Sequence, residues 1–401
     1  MKVATLVRLL SLTVLSCLPC SGWSQGSPIH SLPDGAVEQA AMVAPNVGWA
    51  FSFPRPEKGD ESNLLWWTTD GGAHWQIITP PMSKSGIVIS VSFVNTLDGW
   101  ALLEDISQEP DAFQFDLAST TSAGAKWEVH HLITPRLRSN DMRSGFADGL
   151  VAFVDPLHGW MYLTADEPNL MITSDGGRSW QPAQSMKMPM DSARLVPVTP
   201  LVAWLRDASF HGLYVTRDGA KTWQTVRLPP PDALANRSAT GICKDSDTIY
   251  SDPIFQDSNH GFEAVTYGYS KLCGLSAAVL FETLDGGISW QVESLHGDLS
   301  PNLSRPVSST VVDSNWLIAR QPFAGLPMVT ILHPGEWQNG MVATGVGYNA
   351  NLKMSFTNSD RGWVLMNGAL LATQDGGASW SNVTPDRDQR TFKPARLPGA
   401  R

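Results

Sequence analysis

The chain has 401 residues, with 38 acidic and 28 basic side chains, and its formal net charge is −10 at pH 7. This acidic balance argues against nucleic acid as a partner, because the phosphate backbone attracts basic surfaces. The length alone would predict two or three domains, but the internal repeat described below favours one.

The first residues have the pattern of a secretory signal peptide, which we place at residues 1–24. Lys2 and Arg8 precede the apolar run Leu9–Leu18, which is too short to span a membrane, and small residues follow it. Lipoprotein processing at Cys17 is the alternative. No later stretch has the length of a membrane-spanning helix. We therefore expect an exported protein, periplasmic or extracellular.

Two cysteines remain after removal of such a signal peptide, Cys243 and Cys273. An oxidising compartment favours a disulfide between them. The alternative is two separate buried thiols.

A repeated segment dominates the rest of the chain, and we call its copies the boxes. Each follows Thr-x-Asp-Gly-(Gly/Ala)-x-x-Trp; clear copies occupy residues 68–75, 173–180, 216–223, 283–290 and 373–380. Residues 120–127, with Ser122 in place of the aspartate, and residues 330–337 are degenerate copies. The box tryptophans are spaced by the length of a four-stranded blade, so seven copies predict seven blades.

A second element accompanies the boxes, in which a phenylalanine is followed six positions later by glycine and an aromatic residue. Clear copies begin at Phe93, Phe153, Phe255 and Phe356. Short strands with frequent glycine and proline, and no amphipathic helix, predict an all-β fold. We therefore predict a seven-bladed β-propeller of four-stranded blades with Asp-box hairpins over residues 37–384, followed by a flexible tail over residues 385–401. The last blade would pack against the first, or a swapped terminal strand would close the ring.

The box residues themselves are predicted to be structural. An aspartate at a hairpin turn accepts hydrogen bonds from turn amides, glycine supplies a positive φ, and tryptophan packs inward. We assign this role to Asp70, Trp75, Asp175, Trp180, Asp218, Trp223, Asp285, Trp290, Asp375 and Trp380.

The boxes, preceded by a glycine-tryptophan strand, resemble the BNR or Asp-box repeat families. The likeness is greatest to propellers of the photosystem II assembly-factor type, and it covers residues 37–384. It implies an extracytoplasmic, non-catalytic module that holds partner proteins during assembly. The partner surface of that family is rich in arginine, whereas this chain is acidic, so we carry over the role and no partner identity.

A glycan-active propeller, either a sialidase- or xyloglucanase-like hydrolase or a carbohydrate-binding protein, is the alternative, because such proteins also carry Asp boxes. A hydrolase needs two carboxyl groups facing each other across a cleft. Candidates at strand ends are Glu104, Asp105, Asp166 and Glu263, but no spacing selects a pair. We therefore predict no catalytic residues.

We also predict no metal and no cofactor. The adjacent His130 and His131 and the isolated His158, His211 and His260 are the candidate ligands, but the last three lack cysteine or acidic partners at ligand spacing. The segment from Asp245 to Asp247 lacks the glycine and the distal glutamate of a calcium loop.

Recognition is predicted on the propeller face opposite the boxes, where the connections are long. One basic segment lies in such a connection, with Arg136, Arg138 and Arg143 as candidate contacts for a protein partner. The adjacent Trp66 and Trp67 point to opposite faces of their strand, and we expect them to pack between blades; contact of one of them with a ligand is the alternative.

Overall fold

The structure is a computed structural model. It describes residues 37–52, 63–83, 86–105, 114–132, 149–163, 169–183, 194–207, 209–232, 248–267, 276–299, 306–312, 315–320, 328–333, 336–342, 352–377 and 379–386. The predicted signal peptide at residues 1–24, the lipoprotein alternative at Cys17 and residues 387–401 of the predicted tail lie outside these ranges.

The described residues form antiparallel sheets of strands that are close together in the chain. The first sheet contains β1 (Val37–Ala44), β2 (Val47–Ser52), β3 (Leu64–Thr68) and β4 (Gln76–Ile77). The second contains β5 (Gly86–Phe93), β6 (Gly99–Asp105), β7 (Gln114–Thr120) and β8 (Glu128–Leu132). The third contains β9 (Gly149–Phe153), β10 (Gly159–Leu163), β11 (Asn169–Thr173) and β12 (Gln181–Pro182). The fourth contains β13 (Arg194–Pro197), β14 (Ala203–Arg206), β15 (Leu213–Thr216) and β16 (Gln224–Val226).

The remaining sheets follow in the same order along the chain. The fifth contains β17 (Ile249–Tyr250), β18 (Ile254–Phe255), β19 (Gly261–Tyr267), β20 (Ser276–Thr283) and β21 (Gln291–Leu299). The sixth contains β22 (Pro306–Val312), β23 (Asn315–Arg320), β24 (Met328–His333) and β25 (Glu336–Val342). The last contains β26 (Leu352–Phe356), β27 (Gly362–Met366), β28 (Ala369–Thr373) and β29 (Ser381–Asn382).

The prediction of seven four-stranded blades is wrong, because six sheets have four strands and the fifth sheet has five. Its innermost strand is divided into β17 and β18, which both pair with β19. The break contains Pro253, which has no N–H to donate to a strand ladder. The carboxylate of Asp252, also in the break, binds Arg206 of the neighbouring sheet. Over the described residues, the architecture is thus an all-β propeller with six four-stranded blades and one irregular sheet.

The first strands of neighbouring sheets lie against each other, as β5 does against β9 and β22 against β26. They therefore surround the centre, while the fourth strands form the exposed outer edge. Apolar side chains fill the space between adjacent sheets; one such layer contains Trp100, Phe115 and Phe153. Burial of this surface, at roughly 25 cal/mol per Å², is the main stabilising contribution to such a fold. No helix in the described ranges is long and apolar enough to cross a membrane.

The turns that join the first and second strands of each sheet we call the inner turns. The phenylalanine that precedes an inner turn pairs with the glycine that follows it, as Phe153 does with Gly159. The phenylalanine ring covers this glycine so closely that a Cβ atom would collide with it. The same pairs are Phe93 with Gly99, Phe255 with Gly261 and Phe356 with Gly362. Close packing of the ring therefore explains the six-residue spacing found in the sequence.

The box turns, which join the third and fourth strands, lie on the same face of the propeller as the inner turns. In the third sheet, the N–H of Gly176 in the box donates to the carbonyl of Leu157 in the inner turn at 2.9 Å. Equivalent bonds join box and inner turns in the first, second, fourth, fifth and last sheets. We call this side the box face and the other side the opposite face.

The ring closes between the last and first sheets without an exchanged strand among the described residues. The indole of Trp363 donates to the carbonyl of Gly71 at 3.2 Å, and the indole of Trp75 donates to that of Val383 at 2.8 Å. Trp100 in the second sheet makes the bond equivalent to that of Trp363, to Gly176 of the third sheet. The closing junction therefore uses the same type of contact as an internal junction.

Candidate functional site

The box of the third sheet shows how each box aspartate is bound within its own turn. Asp175 Oδ1 accepts hydrogen bonds from the Thr173 hydroxyl at 2.8 Å and from the backbone N–H of Ser179 at 2.9 Å. The Ser179 hydroxyl donates to Oδ2 at 2.6 Å. Burial acts to raise the pKa of Asp175, but the bonds from Ser179 and Thr173 outweigh it and lower this pKa to about 2. The carboxylate therefore stays ionised and occupied by the turn.

The other intact boxes repeat this arrangement. Oδ1 of each aspartate accepts from the box threonine and from the backbone N–H four residues later, at Asp70, Asp218, Asp285 and Asp375. The five carboxylates lie in five different sheets, so they do not meet at one substrate. The box tryptophans whose side chains the structure describes are partly buried: Trp75, Trp127, Trp180, Trp223, Trp290 and Trp380.

The structure does not bring the candidate catalytic carboxyl groups together. Glu104 lies on β6 of the second sheet and Glu263 on β19 of the fifth, and both are fully buried. Asp105 is partly buried at the end of β6, and Asp166 lies outside the described residues. These side chains therefore do not form a pair across a cleft.

The histidines that we considered as metal ligands are held separately. His131 binds Asp116 at 2.8 Å, His158 binds Asp155 at 2.9 Å and His260 binds Glu282 at 2.9 Å. His130 lies 3.4 Å from Glu128, and His211 Nδ1 lies 2.6 Å from the Thr248 carbonyl. Within the described ranges, no group of three or more histidine, cysteine, aspartate or glutamate side chains could hold a metal ion.

Several other residues proposed from the sequence lie outside the described ranges: Cys243, Cys273, Arg136, Arg138, Arg143, Asp245 and Asp247. Trp66 and Trp67 are described and both are buried, so neither faces a ligand.

A group of charged side chains that the sequence analysis missed lies near the propeller axis. It consists of Glu38, Arg194, Arg206, Asp252 and Lys353, which we call the axial charges. Glu38, Arg194 and Lys353 are at or next to the first residue of β1, β13 and β26. Because each first strand runs towards its inner turn on the box face, these strand starts lie at the opposite face. Arg206, the last residue of β14, is opposite Arg194 in the antiparallel pair of β13 and β14, so it also lies at the opposite face.

Arg206 is the most buried of the axial charges, with 5% of its side chain exposed. Its Nε donates to Asp252 Oδ1 at 2.6 Å, and its Nη1 donates to the Asp207 carbonyl at 3.0 Å. The guanidinium lies 4.0 Å from the centre of the Phe210 ring, a cation–π contact. The ion pair therefore joins the fourth sheet to the broken innermost strand of the fifth.

Glu263 lies behind this ion pair as a buried carboxyl group. Its Oε1 is 3.4 Å from the Ser251 hydroxyl, and its Oε2 has no hydrogen-bond partner among the described residues. Burial and the negative charge of Asp252 raise the pKa of Glu263 well above its usual range, although Arg206 opposes this shift. The structure therefore places a buried carboxyl group with a raised pKa beside an ion pair.

Lys353 on the last sheet faces Arg194 of the fourth sheet across the axis. Burial, and then repulsion from Arg194, lower the pKa of Lys353 to about 8, while Glu38 and Asp252 act in the other direction. An additional anion here would be attracted by both cations and would relieve their repulsion. Arg194 and Lys353 can therefore attract a carboxylate.

Sequence reasoning missed the axial charges because they belong to no motif and come from sheets far apart in the chain. A weak signal exists, since charged residues occupy the first or second position of three innermost strands. Strand boundaries predicted from sequence are not accurate enough to use it.

Comparisons with known proteins support the fold. No protein-family model and no curated protein sequence matches the chain. Among solved structures, it is similar to YCF48 bound to D1 peptide, with a TM-score of 0.50 and 17% identity, over 86% of this chain and 98% of that chain. It is also similar to the GH74 xyloglucanase from Xanthomonas campestris, with a TM-score of 0.54 and 10% identity, over 88% of this chain. The chain spans about half of that enzyme, 55% of its length.

Proposed function

We propose that this chain is a non-catalytic binding propeller that holds a segment of a partner protein on the opposite face, over the axial charges. The observation that carries the proposal is the convergence of Arg194, Arg206 and Lys353 with Glu38 and Asp252 at one end of the axis. A fixed pattern of both signs of charge on a rigid scaffold favours one orientation of a peptide over others.

The comparisons agree with this role without establishing it. The neighbouring YCF48 structure holds a D1 peptide, and the present chain spans nearly all of it. The signal-peptide pattern at residues 1–24 is typical of an exported protein, so we place the partner outside the cytoplasm.

The test is a capture experiment with matched variants, using the full chain and the extracytoplasmic fraction of the source cells. Arg194→Ala combined with Lys353→Ala should lose the captured protein. The control, Lys126→Ala combined with Arg178→Ala, removes two exposed cations on the box face and should keep it. Equal capture by both variants would show that the axial charges do not bind the partner.

One observation favours a second candidate, a glycan-active enzyme. Glu263, whose pKa is raised, lies near Asp252, which is ion-paired, and two carboxyl groups whose pKa values are pushed apart can act as acid and base. Against this, Glu263 is fully buried and a general acid must reach its substrate. We expect no release of reducing sugars from xyloglucan or related polysaccharides. Turnover that Glu263→Gln abolishes in a folded protein would overturn the non-catalytic proposal.

A further inference from the structure

Five inner turns of the propeller have the same hydrogen-bonded structure. In the third sheet, Asp155 Oδ1 accepts from the backbone N–H groups of Leu157 and His158, both at 2.8 Å, and the N–H of Val154 donates to the His158 carbonyl at 3.0 Å. Equivalent acceptors in the second, fourth, fifth and last sheets are Asn95, Thr199, Asp257 and Asn358. The second position of the turn therefore determines its geometry.

The first and fourth positions of these turns differ between sheets. The second, third and fourth sheets have valine and then leucine, at Val94 and Leu97, Val154 and Leu157, and Val198 and Leu201. The fifth and last sheets have polar residues at the same positions, at Gln256 and Asn259, and Thr357 and Asp360. Since the polar versions make the same bonds, neither valine nor leucine is needed to form the turn.

The three leucines are exposed to solvent on three consecutive sheets. Their exposed fractions are 54% for Leu97, 52% for Leu157 and 57% for Leu201. One exposed leucine is ordinary, but a group of them on one face is typical of an interaction surface. The comparison between sheets supports this interpretation, because the three leucines occupy turn positions where the fold also tolerates polar residues.

A cavity of about 340 Å³ opens among the inner turns of the second, third, fourth and fifth sheets, on the box face. Val94, Val154, Val198 and Gln256, the first residues of four successive inner turns, contribute to its wall. The valines thus line the cavity, whose wall also includes the polar Asp257 and Ser258, while the leucines of the same turns are exposed on the box face. We call the six valines and leucines together with this cavity the apolar arc.

The four inner turns that surround the apolar arc carry negatively charged side chains. These turns, residues 94–98, 154–158, 198–202 and 256–260, contain Asp98, Asp155 and Asp257 and no lysine or arginine. Backbone N–H groups of His260 and Asn259 lower the pKa of Asp257, which keeps it ionised. Farther out, Arg178 and Arg217 donate to the carbonyls of Asp175 and Gly286.

We propose that the apolar arc is a second docking surface, which binds an apolar, positively charged segment of a partner protein. The leucines and the valine-lined cavity take the apolar side chains, and the turn aspartates attract the basic ones. This surface is on the face away from the axial charges, so the proposal does not depend on the function proposed above. With both surfaces, the propeller would contact two segments at once.

The test measures binding of a fluorescent peptide in which leucine and lysine alternate. Fluorescence anisotropy should show saturable binding to the full chain. Peptides with glutamate in place of lysine, or serine in place of leucine, should bind at least about tenfold more weakly. Equal binding of the three peptides would overturn the proposal.

The protein variants copy residues that the chain already uses. Leu97→Asn, Leu157→Asn and Leu201→Asn together introduce the residue found in the fifth sheet, and should weaken binding at least about tenfold with unchanged circular dichroism. The control is Leu284→Asn. Leu284 is an exposed leucine in the box of the fifth sheet, at a position where other boxes have polar residues. It should bind as the parent does; equal loss in both variants would contradict the proposal.

Two other occupants of the arc are outcomes of the same experiment. Sedimentation that shows a dimer, lost in the triple leucine variant, would replace the partner segment with a second copy of the chain. Leucine-dependent binding to neutral phospholipid vesicles, without peptide binding, would replace it with a membrane surface. The axial variant Arg194→Ala should leave peptide binding unchanged, which separates this proposal from the previous one.

Discussion

At the scale of single residues, the box aspartates show how a carboxylate can be a structural element. Asp175 accepts three bonds from Thr173 and Ser179 within one turn. The sequence predicted this chemistry because threonine, aspartate and glycine at fixed positions are typical of a capped turn. The degenerate box keeps one of these bonds, since Ser122 Oγ accepts from the backbone N–H of Lys126 at 3.0 Å.

We expect Asp175→Ala to lower the free energy of unfolding at pH 7 by about 1 to 2 kcal/mol, because the turn amide and the Ser179 hydroxyl lose their acceptor. Asp175→Ser should cost less, as the box with Ser122 indicates. The folded pKa of about 2 is below the ordinary value of 3.8. The stabilisation is therefore present above pH 3.8 and is lost as the pH falls towards 2. Urea unfolding across this range measures it; a cost that persists at pH 2 would contradict the explanation.

Lys353 gives the opposite sign of pH dependence. Its folded pKa of about 8 is below the ordinary 10.5, so at neutral pH the fold holds a charge that it disfavours. Lys353→Met should raise the free energy of unfolding by on the order of 2 kcal/mol at pH 7. This advantage should shrink as the pH rises from 8 to 10.5, because the parent then loses its proton only in the folded state.

Chemical unfolding at several pH values between 7 and 10.5 checks the Lys353 prediction. Lys126→Met, at an exposed position in the second box, is the control for other titrating groups. A difference between Lys353→Met and the parent that stays constant over the range would show that the charge of Lys353 is not disfavoured.

At the scale of elements, the sequence predicted the inner strands and hairpins well wherever a local rule applies. The spacing from Phe153 to Gly159 corresponds to a direct pair across β9 and β10. The broken strand at Pro253 was not predicted, because a residue without an N–H identifies a break only when the strand's position in the sheet is known. The prediction of uniform four-stranded blades failed there.

One indole makes both a stacking contact and a hydrogen bond at the junction between the second and third sheets. Trp100 stacks on Phe153, with ring centres 3.6 Å apart, and donates to the Gly176 carbonyl at 2.9 Å. Trp100→Phe should cost about 1 kcal/mol for the lost hydrogen bond, and Trp100→Ala about 3 to 5 kcal/mol for the cavity.

Trp204 is a matched control for Trp100. It is also buried, and it packs on Gly287 of the next sheet, but its indole N–H has no hydrogen-bond partner among the described residues. Trp204→Phe should therefore cost less than Trp100→Phe in the same thermal and urea measurements. An equal cost would show that packing of the ring, and not its hydrogen bond, determines how much Trp100 stabilises the junction.

At the scale of the whole molecule, the repeat predicted a radial arrangement, but it did not predict what meets at the axis. Arg194 and Lys353 are 159 positions apart in numbering, and no spacing rule links them. Which side chains converge is determined by the closure of the ring. For the same reason, the sequence placed recognition on the opposite face and missed the cavity on the box face.

Loss of the indole hydrogen bonds at the junction between the last and first sheets should make this junction the first to open. Trp75→Phe combined with Trp363→Phe removes two hydrogen bonds that join sheets separated by almost the whole chain. Hydrogen exchange should then accelerate in β1 and β26 before it does in the third sheet. Trp100→Phe should instead accelerate exchange around β9. Uniform acceleration over all sheets would mean that the ring opens as one cooperative unit.

The inner turns separate two kinds of information. The second position of each turn determines its hydrogen-bonded geometry. The first and fourth positions can be apolar or polar, as Leu157 and its counterpart Asn259 illustrate. A change of partner preference on this face could therefore accumulate by single substitutions without a loss of foldability. The propeller is in this respect an evolvable scaffold, because a few turn positions can be substituted while the fold stays the same.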